Sequence, residues 1–162
     1  MQKPQPEFEK IIPSPDAVQI LGHWKIELYG PDGGLKETKV FSNVVATNGK
    51  EFLASFLYSA ALAASTFTCK YIAIGSDSTA EAAGNTALGT ELSRSTATVS
   101  YVSNQIYQLT ATFATGSGTG NIYEYGILSS NSAGTLLART TKGLITKGAN
   151  DTLKVIAQVT LS

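Results

Sequence analysis

The stretch Lys70–Arg94, KYIAIGSDSTAEAAGNTALGTELSR, decides the fold. Tyr71-Ile72-Ala73-Ile74 is a short apolar run ending on Gly75, and such a run bounded by turn residues reads as a buried strand. Ser76 to Asn85 is dominated by Gly, Ser, Ala, Asp and Thr and reads as loop. It has neither the glycine spacing nor the lysine of a phosphate-binding loop. Thr86–Leu92, TALGTEL, then forms a short helical turn or a strand entry that fixes the edge of a sheet. The stretch organises a fold and carries no base, nucleophile or metal cluster of its own.

Working outward, the same strand grammar recurs. Ile20–Tyr29 alternates Trp24, Ile26 and Leu28 with His23, Lys25 and Glu27, which is the period of a strand with one wet face. Gly30-Pro31-Asp32-Gly33-Gly34 supplies a reversal, and Leu35–Thr47 is rich enough in β-branched residues to return. Phe52, Leu53, Phe56, Leu57, Ala60, Ala61 and Ala64 recur at helical spacing, with Asn48 and Glu51 placed as a capping box. A helix is expected over about 49–64, lying on the sheet. Strands follow over Thr66–Ile74, through Val99 and Tyr101, from Tyr107 to Phe113, over Ile122–Leu128 and Thr135–Thr141, and from Leu153 to Leu161. Many short strands between Gly/Ser/Asn turns predict a mostly β chain: a jelly-roll-like antiparallel β-sandwich with one packed helix. All five prolines lie within the first 31 residues. The expected organisation is therefore an extended Pro-rich arm over 1–18 and a single sandwich domain over 19–162. Phe8, Ile11, Ile12 and Val18 give that arm apolar groups with which to dock on a partner.

Composition narrows the function classes. Twelve Lys+Arg balance twelve Asp+Glu, and charged residues make up 15% of the chain, against about 25% in an average globular protein. Nucleic acid is an unsuitable partner, since phosphate binding needs a basic surplus. A weakly charged surface suits packing against protein. The single cysteine, Cys69, excludes an intramolecular disulfide and reads as a small buried hydrophobe. MQKPQPEFEK has no apolar signal region, and no apolar run reaches the roughly 18 residues of a membrane span.

Catalytic constellations fare poorly. His23 is the only histidine and stands on the wet face of its strand, which leaves a nucleophilic Ser, Thr or Cys without an evident base. One His and one Cys cannot build a zinc site. Two carboxyl pairs could be considered for glycoside hydrolysis, Asp77 with Glu81 and Glu91 with Glu124. The first lies in a loop, and the second has an ion-pair explanation, in which Glu91, Arg94, Glu124 and Arg139 pair and fix strand register. Ser76, Asp77 and Asp151 lack the spacing of a calcium loop. Carbohydrate binding without catalysis is the competing class. Trp24, Tyr101 and Tyr107 fall on the apolar side of their strands and read as core, whereas Tyr29, Tyr58, Tyr123 and Tyr125 read as surface contacts.

Three ordered pieces carry a resemblance. They are VVATNGKEFLA (Val44–Ala54), then YIAIG (Tyr71–Gly75) with TALGTEL and Arg94, then IYEYGIL (Ile122–Leu128) followed by Leu136-Leu137-Ala138-Arg139. In that order the chain from about Val40 to Ser162 resembles tailed-bacteriophage virion proteins, the small β-sandwich modules of head decoration and of tail or baseplate accessories. The loop after IAIG lacks the proline that such proteins often carry, and the last strand is less aromatic. The resemblance implies a non-enzymatic structural protein that decorates or cements a capsid, with a tail or baseplate accessory as the alternative. It further implies a virion location after synthesis in the host cytoplasm, the major capsid protein or a tail protein as partner, and a homo-oligomer, a trimer by preference. Neither cofactor, metal nor membrane enters that picture.

Overall fold

The computed structural model describes residues 20–51, 53, 69–103 and 106–161. Period-2 alternation builds its first sheet. In β1 (Ile20–Tyr29), Trp24, Ile26 and Leu28 are buried while His23 and Lys25 are exposed. In β12 (Thr152–Leu161), Leu153, Val155, Ala157 and Val159 alternate inward in the same way. With β2 (Leu35–Ser42), β6 (Thr98–Ser103) and β7 (Ile106–Phe113), these strands form an antiparallel sheet in the order β2-β1-β12-β7-β6.

The second sheet follows a different rule. β4 (Tyr71–Gly75), β9 (Glu124–Leu128) and β10 (Leu136–Thr140) are continuous buried runs with almost no alternation. Together with β3 (Val44–Val45) and β5 (Glu91–Thr96) they form an antiparallel sheet in the order β3-β10-β9-β4-β5. Strands buried on both faces need cover on both sides. The inner face packs on the first sheet, where Ile72, Ile74, Tyr125 and Ile127 meet Trp24, Leu109, Phe113 and Val155. Tyr125 lies 6.1 Å from Trp24 and 5.7 Å from Phe41, ring centre to ring centre. The outer face holds a second, smaller core of Ala46, Ala73, Leu128 and Leu136, with Tyr71 and Leu88 packed against it. Each fully buried large side chain contributes about 1.5–3 kcal/mol, so these two cores outweigh any surface ion pair.

The chain is therefore an antiparallel β-sandwich. A two-stranded pairing of β8 (Gly120–Ile122) with β11 (Ile145–Lys147) closes one end, placing Ile122 and Ile145 in the main core. β2 runs into β3 through Asn43, and β5 into β6 through Ala97, so a strand crosses between the sheets on each flank. The expected return strand Leu35–Thr47 breaks at Asn43 for this reason. Likewise the expected strand Ile122–Leu128 divides at Tyr123, whose amide donates to the Gly75 carbonyl.

Helical structure begins at residue 47 and holds through 51 and at 53, two residues earlier than the spacing predicts. The Ala46 carbonyl accepts from the amides of Gly49 and Lys50, so the cap lies upstream of Asn48. A side chain on Gly49 would collide with the Leu137 backbone, which fixes how closely the helix start approaches β10. The rest of the expected helix, the start of the strand placed at Thr66, and the arm with Phe8, Ile11, Ile12 and Val18 lie outside the described residues.

At the β2–β3 crossing the Asn43 side chain lies on the bare Cα of Gly22, and its buried amide has no hydrogen-bond partner among the described residues. A methyl at Gly22 would enter that amide. Gly22→Ala should lower stability by about 1–3 kcal/mol, the usual cost of overpacking, read as a lower denaturant midpoint. Adding Asn43→Ala should return most of the loss. Equal stability of Gly22→Ala and wild type would remove this seam from the account.

Candidate functional site

The densest polar chemistry lies where the loop 76–90 covers the outer face of the second sheet. Glu124 opens β9 and is fully buried, and Arg139 in β10 is 3% exposed. Their strands are hydrogen-bonded neighbours, and Arg139 Nε donates to Glu124 Oε2 at 2.9 Å while Nη2 lies 2.8 Å from the same oxygen. Glu124 also accepts from the backbone amides of Gly89 at 2.9 Å, Thr90 at 2.7 Å and Asp77 at 3.4 Å. Arg139 turns its other nitrogens to the loop, donating to Asp77 Oδ2 at 3.0 Å and to the Thr79 carbonyl and Asn85 Oδ1, both at 3.2 Å.

Glycines make this closeness available. A Cβ at Gly75 would meet the Glu124 carboxylate, and one at Gly89 the Asp77 carboxylate. Leu88 of the TALGTEL segment occupies the space that a side chain on Gly126 would need. Farther along the loop, the buried Glu81 side chain accepts from the Thr141 hydroxyl at 2.7 Å and pairs with Lys142 at 3.2 Å. The Ala83 carbonyl accepts from the amide of Thr47 at the helix start. The loop is thus latched to β9, β10 and the helix by side chains and isolated backbone bonds, without a strand ladder.

Each carboxylate weighed for catalysis is committed elsewhere. In the first pair, Asp77 contacts Arg139 while Glu81 is held by Thr141 and Lys142; in the second, Glu124 is fully buried against Arg139. Glu91 forms a forked pair with Arg94, at 2.9 and 2.6 Å, within one strand, and Arg94 also donates to the Ser130 and Ala133 carbonyls. Asp151 accepts from Lys36 at 3.0 Å and from the Gly148 amide at 2.9 Å, far along the chain from Asp77. Among the described residues no group of three His, Cys, Asp or Glu is placed to hold a metal.

The aromatic surface differs from the expectation in two places. Tyr125 is fully buried, its hydroxyl donating to the Gly143 carbonyl at 2.7 Å, because it takes the inner side of its strand against Trp24 and Phe41. Tyr101 is 74% exposed, since β6 is the outermost strand of its sheet. Tyr29 is half-buried and donates to Glu27 at 2.9 Å, and Tyr123 is half-buried. A groove of about 380 Å³ on the outer face of the first sheet is lined by His23, Lys25, Val40, Gln108, Ile156 and Gln158. Gln158 donates to Gln108 at 2.9 Å and Lys25 pairs with Glu27 at 2.6 Å, leaving little free polar chemistry there.

Asp77, Thr79, Glu81 and Asn85 were not legible as one cluster. The available signal was Arg139 itself: an arginine in the apolar run LLART, beside Glu124 in YEYGIL, requires partners if both strands are buried.

Removing one partner of a buried pair strands the other, at a cost of about 3–5 kcal/mol. Glu124→Ala and Arg139→Ala should each lose that much in denaturant unfolding, and the double variant should lose clearly less than their sum. Additive losses would deny the coupling.

The carboxyls also set the acid response. Glu27 is pushed down from its ordinary 4.5 to about 2, first by the Lys25 hydrogen bond, with Tyr29 and Lys154 adding to it against the upward push of burial. Asp77 is held low chiefly by the Thr79 amide and hydroxyl, then by Arg139. Burial pushes Glu81 up, but Thr141, its own backbone amide and Lys142 together hold it low. Groups depressed on folding stabilise above their unfolded values and lose that contribution as pH falls through the folded ones. Stability should therefore fall as pH drops from about 4.5 toward about 2, and Glu27→Gln should flatten part of the fall. An unchanged slope in Glu27→Gln would exclude Glu27 as a source.

Compared with family models, with curated proteins and with solved structures, the chain finds no match.

Proposed function

We propose that this chain is a non-enzymatic structural protein of a tailed-bacteriophage virion, which decorates or cements the capsid shell through an oligomeric sandwich body and an N-terminal arm. One observation carries the reading: an uncharged, apolar flank offered to other protein. No charged residue occurs from Ser95 to Tyr123. On that stretch Val99, Tyr101 and Val102 are 52%, 74% and 51% exposed. Exposed apolar groups gathered on one side of a domain mark a contact surface more often than idle solvent-facing area. Asp77, Glu81, Glu124 and Arg139 are drawn into the loop latch and its contacts, which favours assembly over catalysis. The ordered motifs around YIAIG, TALGTEL and IYEYGIL add the likeness to phage virion modules.

In this reading the partner is the major capsid protein or a tail protein of the same particle. Weak contacts of the body and of the arm act together, because linked sites raise effective concentration and hence avidity without any single strong contact. A carbohydrate-binding role loses Tyr125, which is core.

Deleting Met1–Val18 should leave a folded body that binds undecorated particles poorly, measured by co-sedimentation. Full binding by the truncated chain would sink the arm's role. Imaging the protein in intact particles tests the location: copies over the shell support decoration, and copies confined to the tail move the reading to a tail accessory.

A further inference from the structure

The groove of about 380 Å³ on the outer face of the first sheet is built by two rows of side chains that cross the strands. His23, Gln158 and Gln108 form one row, and Val40, Lys25 and Ile156 the next. The first row is polar and satisfied within itself, since Gln158 donates to Gln108 at 2.9 Å. In the second, Val40, 69% exposed, and the half-buried Ile156 stand on either side of Lys25. One row farther on, Glu27 pairs with both Lys25 at 2.6 Å and Lys154 at 3.2 Å. Two ammonium groups share one carboxylate there, and one positive charge is left over. Apolar walls beside an excess positive charge suit an apolar side chain flanked by carboxylates.

We propose that the groove holds the N-terminal arm of its own chain, with Phe8 against Val40 and Ile156 and the carboxylates of Glu7 and Glu9 toward Lys25 and Lys154. Phe8 is the only aromatic residue in the first 19, and it stands between two glutamates.

Connectivity places the arm at this face. Residues 1–19 lead directly into β1 at Ile20. Ser14-Pro15-Asp16-Ala17 has the composition of a reversing turn, Ser first and Pro second. A reversal there sends the preceding residues back along β1. Phe8 stands six positions before Ser14 and His23 six positions after Ala17, so the two come level at the groove. Both edges of β1 are taken, by β2 and β12, and its inner side packs on the second sheet, which leaves the returning segment the outer face. Pro4, Pro6 and Pro13 lack the amide that a ladder would need, and lying across side chains does not require it. The choice of the chain's own arm over a second copy rests on tethering. A short linker presents the arm at millimolar effective concentration, well above that of a second copy in micromolar solution.

This contact rests on the arm reading above and adds a state to it: in the free chain the arm covers its own body, and binding a particle must first lift it. It is tested on the isolated full chain, so failure to dock and failure to bind particles are separate results. By nuclear magnetic resonance, Phe8→Ser should move the signals of Lys25, Val40 and Ile156 and the side-chain amides of Gln108 and Gln158, leaving those of the second sheet in place. Glu7→Gln with Glu9→Gln should move the signals of Lys25 and Lys154. On mild oxidation, Phe8→Cys with Val40→Cys should close a disulfide within one chain of 17.0 kDa. Closure should be several-fold faster than for Phe8→Cys with Asn131→Cys, on the exposed loop between β9 and β10. Cys69, whose thiol burial pushes up to about 12, should stay reduced in both. Groove signals unmoved by Phe8→Ser overturn the proposal. So does a disulfide that joins two chains, or closure at Val40 no faster than at Asn131.

Discussion

The cover on the second sheet turns on one buried ion pair, Glu124 with Arg139. Two charges withdrawn from water are costly unless their remaining hydrogen-bonding capacity is filled. At Glu124 and Arg139 it is filled by the loop: the Gly89, Thr90 and Asp77 amides on one side, and the Thr79 carbonyl with the Asp77 and Asn85 side chains on the other. A pair satisfied in this way does little to hold its own two strands together, which the ladder already does. Its effect is to specify where the loop 76–90 lies, since no other placement of that loop supplies the same donors and acceptors.

Loop position in turn decides what the sheet can be made of. With Leu88 set over Gly126 and Ala46 beside Leu136, the outer face of β9 and β10 is dry, and apolar residues there are stable on both sides of the strand. Without the loop, this smaller core of Ala46, Ala73, Leu128 and Leu136 would lose its contact with Leu88. Apolar cover and ionic latch are therefore interdependent: the pair is dry because the loop covers it, and the loop stays because the pair binds it.

Much of this was legible in the residues. Trp24, Ile26 and Leu28 against His23 and Lys25 gave β1 and its inward face, and the runs in YIAIG and EYGIL gave buried strands. Tyr101 and Tyr125 were misplaced for one shared reason: alternation states which side of a strand a residue takes, and says nothing of whether another layer covers that side. Tyr101, on the outermost strand of its sheet among the described residues, stays exposed, while Tyr125 faces the first sheet, which covers it. The helix start was displaced because the Ala46 carbonyl, held at the end of β3, supplied the cap before Asn48 could. Asp77, Glu81 and Asn85 could not be grouped, since pairings separated by tens of residues appear only when the strands that carry Glu124 and Arg139 come together.

The crossings at Asn43 and Ala97 have a mechanical consequence. A sandwich whose sheets are joined only by loops can open like a book, each sheet surviving as a unit. Here a single strand path belongs to both sheets on each flank, so parting the sheets requires bending that path and breaking the backbone hydrogen bonds from Asn43 to Gly22 and from Ala97 to Lys70. A load applied across the faces is met by hydrogen bonds in shear along the strands, in addition to side-chain contacts being peeled one by one. The loop 76–90 has no such strand path and is held instead by the buried pair and by isolated backbone bonds.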